Sequence, residues 1–367
     1  MVKNTDFPLQ SLEQGNWFKL ICGASYQHLP AIRSLVLAYS LAGADCIDVA
    51  ADPAVIAAAQ KGMDVAASLS KTKQGLNAWS NYQKPLLMIS LNDDEDPHFR
   101  KAEFDIAQCP PDCSRPCEKI CPAQAIDQNG VIDSYCYGCG RCLPICPYNL
   151  ISTRSYISEP ENIAILVKDM GVEAIEIHTQ SGHFNQFQRL WQFIKPIAKN
   201  LKVLAISCTD APEVINYLRS LSELMTDLPC HLIWQTDGRS MSGDIGAGTT
   251  HAAVKFAQKV IQANLPGHIQ LAGGTNSYTV TKLNSEKMLS NSQLMEDPID
   301  RKKVSGVAYG SYARSLLMPI LAELTNETTA NDKSLVLEQN LESNPELLQQ
   351  SVSKASKLVQ QIKSHSI

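Results

Sequence analysis

The chain has 367 residues, of which 44% are hydrophobic and 19% charged. That is ample for a buried core, as one large domain or two ordinary ones, and it excludes a disordered protein. The formal charge of −5 is a mild, dispersed acidic excess that argues against a general nucleic-acid binder. No apolar run reaches the roughly 18 residues of a membrane-spanning helix.

Residues 1–14 are polar and contain no apolar signal segment, so a cytoplasmic location with reduced thiols is the expectation. Eight of the twelve cysteines lie between Cys109 and Cys146. In a reducing compartment such crowding favours metal ligation over disulfides. Cys22, Cys46, Cys208 and Cys230 occur in or beside apolar strands and read as core.

In chain order, residues 19–24 form a short apolar strand. Residues 30–42 have helical periodicity, with Pro30 at the start and Gly43 at the end. A strand at 46–50, an Ala-rich helix at 53–68 and a strand at 86–91 follow. The last is continuously apolar, as in a parallel sheet buried on both faces. The alternation stops at the acidic, proline-ended break from Asn92 to Pro97 and resumes after Pro160. Helices at 161–170, 186–199, 212–225 and 250–263 then alternate with strands at 174–178, 203–207, 231–235 and 269–272. A less regular helix spans 277–288, the last strand 306–308 and the last helix of the alternation 313–324.

Three strands before the insert and five after it give the count of a (β/α)8 TIM-type barrel, with an open doubly wound sheet as the alternative. Setting aside leader, insert and tail leaves about 250 residues, the usual length of such a barrel. The expected organisation is a first barrel segment at 17–96, a cysteine-rich insert at 97–155, a second barrel segment at 156–325, and a linker with an amphipathic helix at 326–367. In that helix Leu347, Leu348, Val352, Ala355, Leu358, Val359 and Ile362 share one stripe, suited to docking on the barrel or on a partner protein.

The second cysteine motif, Cys136-x2-Cys139-x2-Cys142-x3-Cys146-Pro147, has the bacterial ferredoxin spacing. Three cysteines in one tight loop wrap one cluster, and the fourth reaches the other. Gly138 and Gly140 would let the backbone pass close to the sulfides. The first motif is Cys109-x3-Cys113-x3-Cys117-x3-Cys121-Pro122. It keeps the last ferredoxin step but has wider first gaps. Between the motifs, residues 125–133 read as a hairpin with an Asn129-Gly130 turn. The pattern assigns Cys121, Cys136, Cys139 and Cys142 to one [4Fe–4S] cluster. It assigns Cys109, Cys113, Cys117 and Cys146 to the other, with a [3Fe–4S] form as the alternative there. Zinc would explain C-x2-C pairs but not two C-x3-C-P steps around a hairpin.

At the C-terminal ends of the strands, Gly273-Gly274 follows strand seven and Gly310-Ser311 follows strand eight. Glycines there can build a phosphate site from backbone N–H groups. The pattern resembles flavin-mononucleotide barrels of the dihydroorotate-dehydrogenase type, which makes Gly273, Gly274, Gly310 and Ser311 a candidate flavin or phosphate site, or plain tight turns. The glycine-rich stretch from Asp237 to His251 could fold over a ligand, with Arg239 as an anion contact, or form an ordered loop without one. His28, His178, His183, Asp48 and Glu176 lie at or near strand ends, where hydrogen-bonded structural roles are commoner than catalysis. No nucleophile–base pair or metalloprotease motif occurs.

The stretch from Trp17 to Ala51, the two cysteine motifs and Asp237-Gly238-Arg239-Ser240-Met241-Ser242-Gly243-Asp244 together resemble the light-dependent period modulator family (LdpA) of cyanobacteria. The resemblance covers nearly the whole chain. It implies an iron–sulfur protein that senses redox state set by photosynthetic electron flow and modulates the circadian period with light. It also implies the clock-resetting histidine kinase and the Kai proteins as partners, and Cys109 through Cys146 as the ligands. A redox sensor is therefore the leading expectation. The rival is an electron-relaying oxidoreductase with flavin at the barrel mouth.

Overall fold

A computed structural model describes residues 6–71, 82–121, 123–155, 157–239, 246, 248–289, 303–331 and 340–363. Helix α1 (Phe7–Gln14) leads into β1 (Trp17–Gly23), α2 (Leu29–Leu41), β2 (Cys46–Ala50), α3 (Pro53–Lys71) and β3 (Leu86–Asn92). The cysteine-rich module then contributes β4 (Arg100–Glu103), α4 (Pro116–Ile120), β5 (Ile126–Asp127), β6 (Gly130–Val131) and β7 (Ser152–Ser155). The alternation returns with α5 (Ile163–Asp169), β8 (Ala174–His178), α6 (Phe184–Ile194), β9 (Val203–Thr209), α7 (Val214–Leu224), β10 (His231–Asp237), α8 (Thr250–Ala263) and β11 (His268–Ala272). It ends with α9 (Thr279–Ser285), β12 (Gly306–Tyr309), α10 (Ser311–Asn331) and the tail helix α11 (Pro345–Lys363).

Eight of these strands close into a parallel barrel in the order β1-β12-β11-β10-β9-β8-β3-β2. The barrel reading holds and the open sheet does not, because β1 pairs with β2 on one side and with β12 on the other. The helix expected at 186–199 ends at Ile194 and continues as a 3₁₀ turn through Asn200. Pro196 lies inside that turn and has no N–H to continue an α-helical ladder.

The barrel interior has two chemically distinct layers, set by the period-2 alternation of the strands. Trp17, Cys46, Met88, Ala174, Ala205 and Ile233 form an apolar layer, with Leu12 of α1 against it. Two residues further along the same strands lie Lys19, Asp48, Ser90, Glu176, Ser207 and Gln235, all buried. Such interiors are ordinarily filled by branched apolar residues, so this polar layer is the departure. The larger apolar core lies between the strands and the surrounding helices and includes Leu20, Ile47, Ile89, Ile175, Ile206 and Trp234.

The module leaves the barrel after β3, at the face where all the strands have their C-terminal ends. Its first and last strands, β4 and β7, pair antiparallel from Arg100↔Ser155 to Glu103↔Ser152. The chain thus leaves and re-enters through one two-stranded neck. The hairpin pairs Ile126 with Val131 and Asp127 with Gly130. This places Gln128 and Asn129, rather than Asn129 and Gly130, at the turn. The Asp127 carboxylate accepts from the Asn129 N–H at 2.7 Å.

Helix α11 packs against α2, α10 and β1. Its apolar stripe is buried, and Lys363 reaches Asp45 at 2.6 Å and Ser11 at 2.9 Å. Arg33 forms a bidentate pair with Glu342 just before the helix. Leu358 is 2% exposed. Leu358→Ala is expected to destabilise the protein by about 2–5 kcal/mol in urea unfolding, whereas exposed Lys357→Ala shifts it by less than about 0.5 kcal/mol. Equal effects from the two would mean that α11 is not docked in solution.

Candidate cluster-binding module and barrel mouth

None of the twelve cysteines, all among the described residues, is in a disulfide. The eight in the module fall into two spatial groups. Cys121, Cys136, Cys139 and Cys142 surround one small cavity whose other lining is largely apolar, including Ala102, Ala123, Ala125 and Ile126. Two backbone amides point at its sulfurs: Ala125 N–H donates to Cys121 Sγ at 3.2 Å and Ala102 N–H to Cys136 Sγ at 3.3 Å. Burial, then the neighbouring Cys139, Cys136 and Cys121, pushes the Cys142 thiol up to about 12. Bound metal would offset that penalty by holding Cys142 as a thiolate.

In the second group Cys109 is within electrostatic reach of Cys113 and Cys117, and Cys117 of Cys146. Burial would raise Cys146, but the amides of Leu150, Tyr148, Ile151 and Asn149 outweigh it and hold the thiol below its usual range. Amides converging on sulfur are what an iron–sulfur ligand set uses to hold its charge. Short helix α4 carries Cys117, and Cys121 follows at its C-terminal end, so the two face different groups one turn apart. Gly138 has φ +68°, and a Cβ there would lie 2.2 Å from the Arg100 carbonyl oxygen. Its smallness therefore serves the approach of the cysteine loop to β4.

Tyr137, between two ligand-candidate cysteines, lines both the cysteine cavity and a cavity at the barrel mouth. Its ring lies under the Arg314 guanidinium, 4.3 Å from centroid to Cζ. Burial raises its hydroxyl above the usual tyrosine range against the opposing charge of Arg314. Arg314 is 3% exposed. It donates to the carbonyls of Ile21 at 2.8 Å and Cys22 at 3.0 Å, and to Ser311 Oγ at 2.9 Å. One side chain thus ties the end of β1, the first turn of α10 and the cysteine loop together. Lys101 makes a parallel tie. It donates to Gln27 at 2.6 Å, from the loop after β1, and to Asp133 of the module at 2.8 and 3.0 Å.

The mouth cavity encloses about 50 Å³ and is lined by Ser90, His98, Glu176, His178, Gln235 and Asp237 on one side, with Gly273, Gly274, Gly310, Ser311 and Arg314 on the other. The four flavin-site candidates therefore meet at one cavity. Gly273 and Gly274 also have a packing role. A Cβ at Gly273 would lie 2.8 Å from the Gly238 nitrogen, and one at Gly274 would lie 3.0 Å from the Arg239 side chain. Their bareness lets the loop after β10 sit on the loop after β11. Residues 240–245 and 247 of the glycine-rich stretch lie outside the described residues.

Below the cavity, Lys19 is fully buried and donates to Glu176 and, at 2.7 Å, to Gln235, with Asp48 at 3.9 Å. Gln235 in turn donates to Glu176 at 2.7 Å and accepts from Gln270 at 2.6 Å. His178 Nε2 lies 2.9 Å from Glu176 Oε1. Burial alone would raise Glu176, but the Lys19 charge and the His178 contact hold it below the ordinary carboxylate range. Burial works against charge on His178, yet the hydrogen bond and charge of Glu176 push it up to about 9. Desolvation pushes Asp48 up to about 7 against the opposing pull of Lys19.

Of the other candidates, His28 packs on Tyr135 with ring centroids 4.3 Å apart. His183 precedes α6 and lies 3.3 Å from Asp93. Neither lines the mouth cavity. Cys22, Cys46 and Cys208 are buried core, whereas Cys230 is only partly buried. Sequence reasoning missed Lys19, Asp96, His98, Tyr137 and Gln235. A lysine inside the apolar run Trp17–Gly23 was the signal for the first.

Lys19→Met is expected to lower stability in urea unfolding by about 3–5 kcal/mol, because it leaves Glu176 buried without its cation. Adding Glu176→Gln to that variant should recover some of the loss. A single variant within about 1 kcal/mol of the parent, on the order of a rim charge, would show that the pair does not govern the interior.

A family model described as the LdpA Fe-S cluster-binding domain matches residues 109–157, and one described as the Light dependent period A C-terminal domain matches residues 166–361. The chain is 48% identical over 360 residues to Light dependent period A of Synechococcus elongatus, covering 98% of this chain and 95% of that protein. Among solved structures, a tryptophan synthase chain of M. tuberculosis matches 99% of this chain and 97% of its own, at 11% identity and a TM-score of 0.41. An HpcH/HpaI aldolase of Desulfitobacterium hafniense matches 90% and 98%, at 12% identity and a TM-score of 0.36. The two domain matches and the near full-length relative place this chain in the Light dependent period A family.

Proposed function

We propose that the chain is a cytoplasmic iron–sulfur redox sensor that reports the redox state set by photosynthetic electron flow to the circadian clock. Cys121, Cys136, Cys139 and Cys142 would hold one [4Fe–4S] cluster in a ferredoxin-like module. Cys109, Cys113, Cys117 and Cys146 would hold the other, with a [3Fe–4S] cluster as the alternative at this set. When bound, each cluster supplies a one-electron redox couple. The donor sets fit such groups: both are all-thiol and supplied with amide N–H donors to sulfur, and the first lies in largely apolar surroundings.

The observation that carries the sensing reading is Tyr137. It shares a wall with the cysteine cavity and stacks on Arg314, which is hydrogen-bonded to the barrel. A change in charge on the cysteine side is felt first by that ring and that guanidinium, with little water between to screen it. The Tyr137–Arg314 contact would then shift the module on its neck and alter the surface offered to a partner. The clock-resetting histidine kinase and the Kai proteins are the proposed partners.

The competing reading is an electron-relaying oxidoreductase with flavin at Gly273, Gly274, Gly310 and Ser311. In its favour, those residues line one cavity with Arg314 and acidic groups. Against it, the cavity of about 50 Å³ is far below the roughly 300 Å³ at which cofactor pockets begin.

Anaerobic purification followed by iron, sulfide and flavin analysis, with EPR before and after reduction, tests both. The expected result is iron and sulfide for two clusters, no flavin, and binding of the histidine kinase that differs between oxidised and reduced protein. Cys142→Ser should remove one cluster signal and keep the other. Tyr137→Leu should keep both while making kinase binding insensitive to redox state. An iron-free protein would sink the cluster assignment. Stoichiometric flavin would favour the oxidoreductase, and redox-independent kinase binding in the parent would end the sensing reading.

A further inference from the structure

The barrel mouth contains a second ligand set, built without cysteine. We propose that Asp96, His98 and His178 bind one divalent first-row transition-metal ion at the seam between barrel and module. Among the described residues, this is the one group of three or more His, Cys, Asp or Glu side chains whose ligand atoms all lie within 4.8 Å of one another. Asp96 Oδ1 lies 2.8 Å from His98 Nδ1 and 3.6 Å from His178 Nδ1. Ligands around a metal with bonds of about 2.0–2.2 Å are separated by roughly 3–4 Å, so small side-chain shifts would seat an ion among these three.

His178 is held from behind, and the Asp96–His98 turn by its backbone. His178 Nε2 faces Glu176 Oε1 at 2.9 Å, and Lys19 holds that carboxylate in place. With the Nε2 proton donated to Glu176, the Nδ1 lone pair faces Asp96. A histidine backed by a carboxylate is the usual outer-sphere arrangement of a metal-ligating imidazole. Asp96 Oδ1 also accepts from the His98 N–H at 2.8 Å, and the His98 carbonyl accepts from Ser25 Oγ. The rings of His98 and His178 lie 5.0 Å apart between centroids.

Charge points the same way. Asp48, Asp96, Glu176 and Asp237 all lie in or against this buried region, with Lys19 beneath it and Arg314 on its far wall as the cations. A divalent ion would place positive charge among these carboxylates. Two imidazoles and one carboxylate suit zinc, ferrous or manganous ions better than calcium or magnesium, which prefer all-oxygen shells. His98 and His178 border the 50 Å³ cavity, which has room for a metal-bound water. His178 belongs to β8, whereas Asp96 and His98 precede β4. A bound ion would therefore clamp the neck of the module to the barrel.

Anaerobically purified full-length protein, titrated with Co²⁺ alone, tests the site. The expected result is one Co²⁺ per chain with d–d absorption and no sulfur-to-cobalt charge-transfer band. Both His98→Gln and Asp96→Asn should weaken binding by more than the roughly 10–100-fold typical of losing an outer-shell partner, with iron and sulfide contents unchanged. X-ray absorption of the cobalt-loaded parent should show only nitrogen and oxygen neighbours, a reading independent of how the variants fold. No cobalt uptake, thiolate bands, sulfur neighbours, or unchanged affinity in both variants would each overturn the proposal. Loss of cobalt with the clusters intact would leave the sensor reading untouched.

Discussion

The interior of this barrel is organised by one buried cation. Lys19 projects from β1 into a space where an unpaired charge would be prohibitively costly, so the surrounding strands must answer it. Glu176 from β8 and Gln235 from β10 bond it directly, and Asp48 from β2 lies within 4 Å. Replacing the usual branched apolar layer with this network fixes the strands relative to one another through directional contacts. It also sets the chemistry of the mouth. Glu176 is held ionised by Lys19 and can therefore orient His178, which opens onto the cavity.

The cysteine module is placed by the same logic of satisfied ends. Pairing of β4 with β7 brings its two connections side by side, so a long insertion is accommodated at a single loop. Long surface insertions carry only a slowly growing entropic cost, and this one is further tied by Lys101, Tyr137 and Arg314. A module spliced at the C-terminal face reaches the polar layer directly. At the opposite end it would have met Trp17 and the apolar layer. The position after β3 thus leaves only Tyr137, among the described residues, between the cysteine cavity and the barrel mouth.

Much of the fold was legible in the amino-acid pattern. The strands were visible as apolar runs and the helices as 3.6-residue stripes, and their alternation gave the barrel count. Less legible was the neck. Residues 100–103 and 152–155 are short and polar, and their pairing partners lie about fifty positions apart, beyond any periodicity. The two cysteine groupings were suggested by ferredoxin spacing, and the same sets of four are brought together in space. The Asp96–His98–His178 cluster was not legible, because Asp96 read as part of an acidic, proline-ended break and His98 as the start of the insert, whereas His178 lies on β8 some eighty positions on.

The sequence by itself determined the alternation of elements and the identity of the thiols, because local spacing encodes both, and its likeness to a known chain over nearly its whole length determined the family. Which polar side chains converge was decided only by closure of the barrel. Lys19 and Glu176 are separated by 157 positions and meet because parallel strands closed in register place their inward residues at one level. Tyr137 and Arg314 likewise become neighbours only when the module folds back over the mouth. Contacts of that range depend on the path of the whole chain, which no local pattern contains.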